Sequence, residues 1–187
     1  ALMQAWRARG GEPVLATAAC PDGIVGRVKS NAGAHVVKVC SAAGNIADAD
    51  QTASIAARFE ASWVVVDGYG FDAAYVGRLR RAGARVLLVD DLGARGHTGA
   101  ATILNQNMHA TPGLYSAEDV STQCLLGLDY FLLREEFWPW RGWVRDVPSK
   151  ARRIGIALGG ADPDDHTRRL IRALDDDRFG DIEIDVI

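Results

Sequence analysis

The chain has 187 residues, of which 48% are hydrophobic and 24% charged, with a formal net charge of -3. This balance is typical of a globular protein and lacks the basic surplus of a nucleic-acid-binding or membrane-surface protein. Three cysteines without CxxC spacing argue against both a disulfide framework and a structural zinc site. The apolar runs are shorter than the roughly 20 residues of a membrane span, and no signal peptide is visible. Because neither a membrane span nor a signal peptide is visible in the sequence, we expect a cytoplasmic protein.

Helical and strand-like segments alternate along the chain. Gly10 ends the first helical pattern, the turn residues Pro21 and Gly23 follow the first strand, and Asn45 is placed to cap a longer helix. The unbroken apolar run at 63–66 is typical of a strand buried on both faces. In chain order, the predicted elements are helix 2–9, strand 13–18, helix 25–28, strand 34–39, helix 46–59, strand 62–67, helix 72–82, strands 84–89 and 102–104, a strand region at 123–126 and 130–133, strand 153–158, helix 163–174 and strand 182–187.

This alternation predicts an α/β fold with a doubly wound, parallel Rossmann-like sheet and helices on both of its faces. We assign residues 1–137 to an N-terminal Rossmann-like domain and 138–150, rich in Trp, Pro and Gly, to an interdomain linker. Residues 151–187 begin a second Rossmann-like, nucleotide-binding domain, which is too short to bury a core alone. We expect the strand before the first helix, and the rest of the second domain, to lie outside these residues.

Ligands of open parallel sheets bind beyond the carboxyl ends of the strands. One such end is Asp67-Gly68-Tyr69, where glycine permits a tight turn and Tyr69 offers a hydroxyl and a ring face to a sugar. A second is the pair Asp90-Asp91, suited to acid/base chemistry or to a divalent cation. Both also have structural interpretations, in which Tyr69 packs on the rim, Asp90 accepts hydrogen bonds from backbone amides and Asp91 caps a local turn.

Two further strand ends carry polar or glycine-rich residues. Asn105 and Asn107 carry amides that can bind sugar hydroxyl and acetamido groups, although turn formation is the other interpretation. Gly159-Gly160 precedes a predicted helix that Asp162 caps, so free amides and the helix dipole would favour a phosphate there. An ordinary strand-to-helix turn explains the same residues.

The order of these motifs resembles that of a known family. The family is the UDP-2,4-diacetamido-2,4,6-trideoxy-β-L-altropyranose hydrolases of the pseudaminic-acid pathway, grouped with the spore-coat polysaccharide predicted glycosyltransferases. The motifs that carry the resemblance span nearly the whole chain: Asp67-Gly68-Tyr69, Asp90-Asp91, Asn105-Gln106-Asn107, Tyr130-Phe131-Leu132-Leu133-Arg134-Glu135-Glu136-Phe137 and Gly159-Gly160-Ala161-Asp162.

The resemblance implies a GT-B arrangement, with two Rossmann-like domains and the active site between them. It also implies hydrolysis of a UDP-linked diacetamido-trideoxy sugar by water, without metal or cofactor, for pseudaminic-acid-type nonulosonate biosynthesis. Tyr69 would act in catalysis at the sugar, and Asp67, Gly68, Asn105 and Asn107 would bind the substrate. Gly159, Gly160 and Asp162 are expected near the diphosphate. The family's water-activating histidine would precede Ala1, so we expect residues 1–187 alone to lack turnover.

Three functions remain open from the sequence. The first is the UDP-sugar hydrolase. The second is a GT-B glycosyltransferase that uses a UDP-sugar donor in cell-surface polysaccharide synthesis. Transferases to lipid acceptors carry an apolar or basic patch on the N-terminal domain, and no such patch is evident in the sequence, which favours the hydrolase. The third is a non-catalytic module that binds a sugar nucleotide.

Overall fold

The computed structural model describes residues 1–93, 98–116, 118, 120–158, 162, 164–176 and 179–186. The chain forms two compact units, Ala1–Arg141 and Gly142–Ile187. The boundary between the units lies inside the segment 138–150 that we assigned to the linker. In the part of the chain that the structure describes, no helix is long and apolar enough to cross a membrane.

The first unit alternates helices and strands. Its elements, in chain order, are α1 (Leu2–Arg7), β1 (Val14–Thr17), α2 (Asp22–Ala32), β2 (His35–Lys38), α3 (Ile46–Arg58), β3 (Val64–Asp67), α4 (Ala73–Arg81), β4 (Val86–Val89), β5 (Thr102–Asn105) and β6 (Gln123–Leu126). All strand pairs are parallel: β1 pairs with β2, and β3, β4, β5 and β6 form a four-stranded sheet in that order. The predicted α/β class with parallel strands is therefore confirmed, and the four-stranded sheet is compatible with the predicted Rossmann-like fold.

The core of the first unit lies between the four-stranded sheet and helices α3 and α4. Alternate residues of neighbouring strands face it, because side chains along a strand point to opposite faces. The buried members are Ala49, Val66, Tyr75, Val76, Leu79, Val86, Leu88, Ala100 and Ile103. Burial of these apolar side chains fixes the sheet, and with it the positions at which β3, β4 and β5 end.

Side-chain caps start both core helices. The Asn45 side chain accepts a hydrogen bond of 2.8 Å from the backbone amide of Asp48 at the start of α3, which confirms the predicted cap. Asp72 does the same for α4, accepting a bond of 2.9 Å from the Tyr75 amide. Each cap satisfies an amide that the helix itself leaves without a partner.

The first unit differs from the prediction in two regions. The turn at 21–23 and the short helix at 25–28 are replaced by α2, because the Pro21 carbonyl accepts hydrogen bonds from the amides of Ile24 and Val25 and starts the helix at once. The strand predicted at 130–133 is not formed. Its Leu132 amide instead donates a hydrogen bond of 2.9 Å to the Gln106 side chain, which takes the place of a strand partner.

The second unit contains a parallel βαβ arrangement of β7 (Arg153–Ile156), α5 (His166–Leu174) and β8 (Glu183–Val186). Helix α5 starts three residues later than predicted. Asp162 and Asp165 have positive φ angles of 29° and 54°, a conformation that a right-handed helix does not contain. The chain therefore enters the helix only at His166.

Candidate functional site

The carboxyl ends of β3, β4 and β5 bring three separate sequence motifs together. The Tyr69 hydroxyl donates a hydrogen bond of 2.8 Å to Oδ2 of Asp91. The Asn107 side-chain amide donates one of 3.0 Å to Oδ1 of the same carboxylate. Asp91 thus joins the segment after β3 to the segment after β5, and we refer to Asp67, Tyr69, Asp91 and Asn107 as the polar edge.

The two adjacent aspartates after β4 have different environments. Asp90 is only 3% exposed, and its Oδ2 accepts hydrogen bonds from the Gly93 amide at 2.6 Å and the Tyr115 hydroxyl at 2.8 Å. Asp91 remains partly exposed. Asp90 therefore stabilises the loop, in agreement with the structural interpretation in which it accepts hydrogen bonds from backbone amides. Asp91 is the carboxylate that a ligand can reach.

The two asparagines after β5 also lie at different depths. Asn105 is fully buried, and its side-chain amide donates a hydrogen bond of 2.8 Å to the Tyr115 hydroxyl. Its Oδ1 accepts hydrogen bonds from the backbone amide and the side-chain amide of Asn107, at 3.1 and 3.0 Å. Both had been predicted to bind substrate, but only Asn107 reaches the surface, and Asn105 holds it in place from below.

Tyr115 is a site residue that the sequence did not reveal. Its hydroxyl accepts a hydrogen bond from Asn105 and donates one to Asp90, so it links the supports of two strand ends. Burial raises the pKa of Tyr115 above its ordinary value, and the Asp90 carboxylate raises it further, so the phenol keeps the proton that it donates. Tyr115 lies in a short 3-10 helix within the segment predicted as irregular, and no pattern there indicated this role.

The segment that carries Asp67, Gly68 and Tyr69 is packed against the segment after β2. Asp67 is exposed at the end of β3, and Gly68 has a φ angle of 139°, which lets the chain turn sharply toward Tyr69. The Gly70 carbonyl then lies against Gly44. Next to it, Asp48 accepts a hydrogen bond of 2.7 Å from the Gly44 amide.

His109 is a second residue whose place was not predicted. Its Nε2 lies 3.0 Å from the backbone carbonyl oxygen of Asp91. A carbonyl oxygen only accepts, so Nε2 carries the proton in this contact. The bond ties the turn after Asn107 to the segment after β4, and it leaves both carboxylate oxygens of Asp91 to Tyr69 and Asn107.

The remaining predicted site residues belong to the second unit. Gly159 and Gly160 lie outside the described residues. Asp162 accepts hydrogen bonds from the amides of His166 and Thr167, at 3.0 and 2.8 Å. These bonds, those from Thr167 foremost, hold the pKa of Asp162 below its ordinary value. Its carboxylate thus occupies the amides that begin α5.

No protein-family model matches the chain, and no curated protein is similar to it. The chemistry of the polar edge is therefore what indicates its ligand. Its side chains are two carboxylates, which only accept hydrogen bonds, one phenol and one primary amide; the phenol and the amide already donate to Asp91 and Asn105, so oxygen acceptors face a ligand. Such a set suits a ligand with many hydroxyl or amide groups.

The polar edge is an open surface. Two depressions that the described residues form lie elsewhere, one between α5 and β8 and the other between β2 and α3. The described residues also contain no group of three His, Cys, Asp or Glu side chains placed to hold a metal ion. Tyr69 is 76% exposed, so the described part of the edge presents its hydrogen-bonding groups at the surface.

Proposed function

We propose that the chain belongs to an enzyme that hydrolyses a UDP-linked diacetamido sugar, with the polar edge against the sugar. The observation that carries the proposal is the pair of hydrogen bonds that Asp91 accepts from Tyr69 and Asn107. Residues from three sequence motifs meet at the one edge where ligands of parallel sheets bind. Sugars bind to sites of this kind because each hydroxyl or acetamido group needs a donor or an acceptor.

The reaction requires little from the protein beyond positioning. Water forms a bond to the anomeric carbon as the bond from that carbon to the phosphate oxygen breaks; the electron pair leaves with UDP, and the water gives up a proton to a base or to the solvent. UDP is a good leaving group, and amides that stabilise its departing charge lower the barrier further. Side chains that hold the sugar in line with the attacking water lower the barrier as well. In the GT-B arrangement that we propose, the second domain binds the nucleotide.

One observation favours a glycosyltransferase as the second candidate. The segment before the unit boundary exposes large aromatic side chains, with Trp138 55% and Trp140 60% exposed and Phe137 nearly as open. Arg141 follows them directly. An apolar surface of this kind suits a lipid-linked acceptor, and no such patch was expected from the sequence. The polar edge would bind the donor sugar in either enzyme.

The test measures UDP release from UDP-sugars by the intact protein in the presence of a chelator. Release without an acceptor supports the hydrolase, and release that requires an added acceptor supports the transferase. Binding without release would leave only a sugar-nucleotide-binding module. We expect Tyr69→Phe to lower the rate at least tenfold. Tyr130→Phe is the matched control, because Tyr130 is an exposed tyrosine of the first unit that lies outside the polar edge.

A further inference from the structure

The carboxylate of Asp91 is the group of the polar edge that bonds to both Tyr69 and Asn107. Each of its oxygens accepts one hydrogen bond, from Tyr69 and from Asn107. An ionised carboxylate has about four lone-pair positions. Two of them therefore remain for donors that a ligand brings, and the partly exposed position of Asp91 lets a ligand reach them.

Among the described residues, the side chains that bond to this carboxylate are uncharged. Its two side-chain partners are an uncharged phenol and an uncharged amide, and none of the ion pairs among the described residues involves Asp91. The neighbouring strand end adds a second exposed carboxylate, Asp67. A ligand that adds an N–H or O–H donor gains a charge-assisted hydrogen bond, whereas a ligand that adds an anion meets the like charge of Asp91 and Asp67.

From this geometry we propose that Asp91 determines sugar specificity: it selects uncharged sugars that present an acetamido N–H or a hydroxyl, and it rejects sugars that carry a carboxylate. The inference rests on the proposed function, because it takes the sugar to lie against the polar edge. It goes further in naming the group that discriminates and the class of sugar that is excluded. Asp91 was not among the substrate-binding residues predicted from the sequence.

The substitution Asp91→Asn isolates the charge from the architecture. The asparagine side chain can accept from the Asn107 amide through its oxygen and donate to the Tyr69 oxygen through its nitrogen, since a phenol oxygen also accepts. Both contacts of the polar edge are therefore kept while the negative charge is lost. Glu12→Gln is the control, because it removes one exposed negative charge before β1, at a residue that does not belong to the polar edge.

The first measurement compares the binding of UDP-N-acetylglucosamine and UDP-glucuronate to the intact protein by calorimetry. We expect the wild type and Glu12→Gln to prefer the acetamido sugar at least tenfold, a difference of about 1.4 kcal/mol. In Asp91→Asn this ratio should fall to about twofold or less, mainly through tighter binding of the glucuronate. An unchanged ratio in Asp91→Asn would overturn the inference while leaving the proposed function intact.

The second measurement omits the nucleotide, so that the two ideas can fail separately. The methyl glycosides of N-acetylglucosamine and of glucuronate are titrated while the backbone amide resonances of Tyr69, Asp91 and Asn107 are followed. Shifts with the acetamido sugar alone, and with both sugars in Asp91→Asn, support the role of Asp91 even if no UDP-sugar binds. Equal shifts with both sugars in the wild type, or no shifts with either, contradict it.

Discussion

Gly44 and Gly70 touch through their backbones, so the segments after β2 and β3 meet at one point. A Cβ atom on Gly44 would lie 2.0 Å from the carbonyl oxygen of Gly70, and Gly44 has a φ angle of 84°. Both the space and the backbone conformation therefore require glycine here. The contact holds the start of α3 against the turn that presents Tyr69.

We expect Gly44→Ala to destabilise the first unit by about 1–3 kcal/mol, because a side chain would strain the backbone and collide with Gly70. The measurement is the free energy of unfolding in urea. Gly26→Ala is the control, because a Cβ atom on Gly26 would meet no other atom within 4 Å. Since alanine favours a helix interior more than glycine does, this substitution should raise the free energy of unfolding by at most about 1 kcal/mol. Equal effects of the two substitutions would show that the contact is unimportant.

The link from Tyr115 to Asp90 gives a second prediction. Removal of the hydroxyl in Tyr115→Phe leaves a carboxylate that is 3% exposed with one donor fewer, and we expect a loss of about 1–3 kcal/mol in stability. The Asn105 amide loses its partner at the same time, so the turn that carries Asn107 should loosen. Faster hydrogen exchange of the Asn107 amide in the variant would detect this, and an unchanged rate would show that Asn105 is held without Tyr115.

The stability of the protein should also depend on Tyr115 at alkaline pH. The pKa of Tyr115 is raised, mainly by burial, above the ordinary value of 10.0, and that of Tyr75 is raised by burial as well. As the pH rises, these two tyrosines therefore ionise in the unfolded chain before they ionise in the folded protein. Their contribution to the free energy of unfolding is complete below about pH 10 and declines as the pH rises above it. Urea unfolding between pH 8 and 11 should show a shallower decline for Tyr115→Phe than for the wild type.

Most of the fold could be predicted from the sequence. Which side chains at the polar edge are exposed, and which are buried and support them, could not. Parallel strands put their carboxyl ends on one side of a sheet, so the convergence of the motifs at 67–69, 90–91 and 105–107 follows from chain order. Adjacent residues such as Asp90 and Asp91 look equivalent in sequence, and only packing decides which is buried. Tyr115 was missed because its partners lie 10 and 25 residues away along the chain, a spacing with no helical or strand period.

Glu136 joins the far end of the first unit to α1 and α2, and its titration reports on that contact. Its carboxylate accepts hydrogen bonds from the side-chain amides of Gln4 at 3.1 Å and Asn31 at 3.2 Å. These bonds, that from Gln4 foremost, hold the pKa of Glu136 below its ordinary value of 4.5. Its stabilising contribution is therefore present above that value and is lost as the pH falls through the lowered pKa.

We expect Gln4→Leu to raise the pKa of Glu136 toward its ordinary value, with a smaller rise in Asn31→Ala. Carbon-13 NMR of the Glu136 carboxyl group across pH 2 to 7 measures both. The order of the two effects is the informative result. A larger rise in the Asn31 variant would mean that α2, and not α1, holds the segment at 135–140.

Asp162 offers the last prediction, and it bears on phosphate binding by the second unit. Because its carboxylate accepts hydrogen bonds from the His166 and Thr167 amides, Asp162→Ala should speed hydrogen exchange of these two amides severalfold. Asp164→Ala is the control, since Asp164 lies 3.7 Å from the His166 ring and is largely exposed. The lowered pKa of Asp162 means that the cap persists above the ordinary value of 3.8 and is lost as the pH falls through the lowered value.

If the start of α5 binds phosphate through the His166 and Thr167 amides, inorganic phosphate should shift their resonances more in Asp162→Ala than in the wild type. Equal shifts would place any phosphate on other amides, with Asp162 serving only as the cap of the helix.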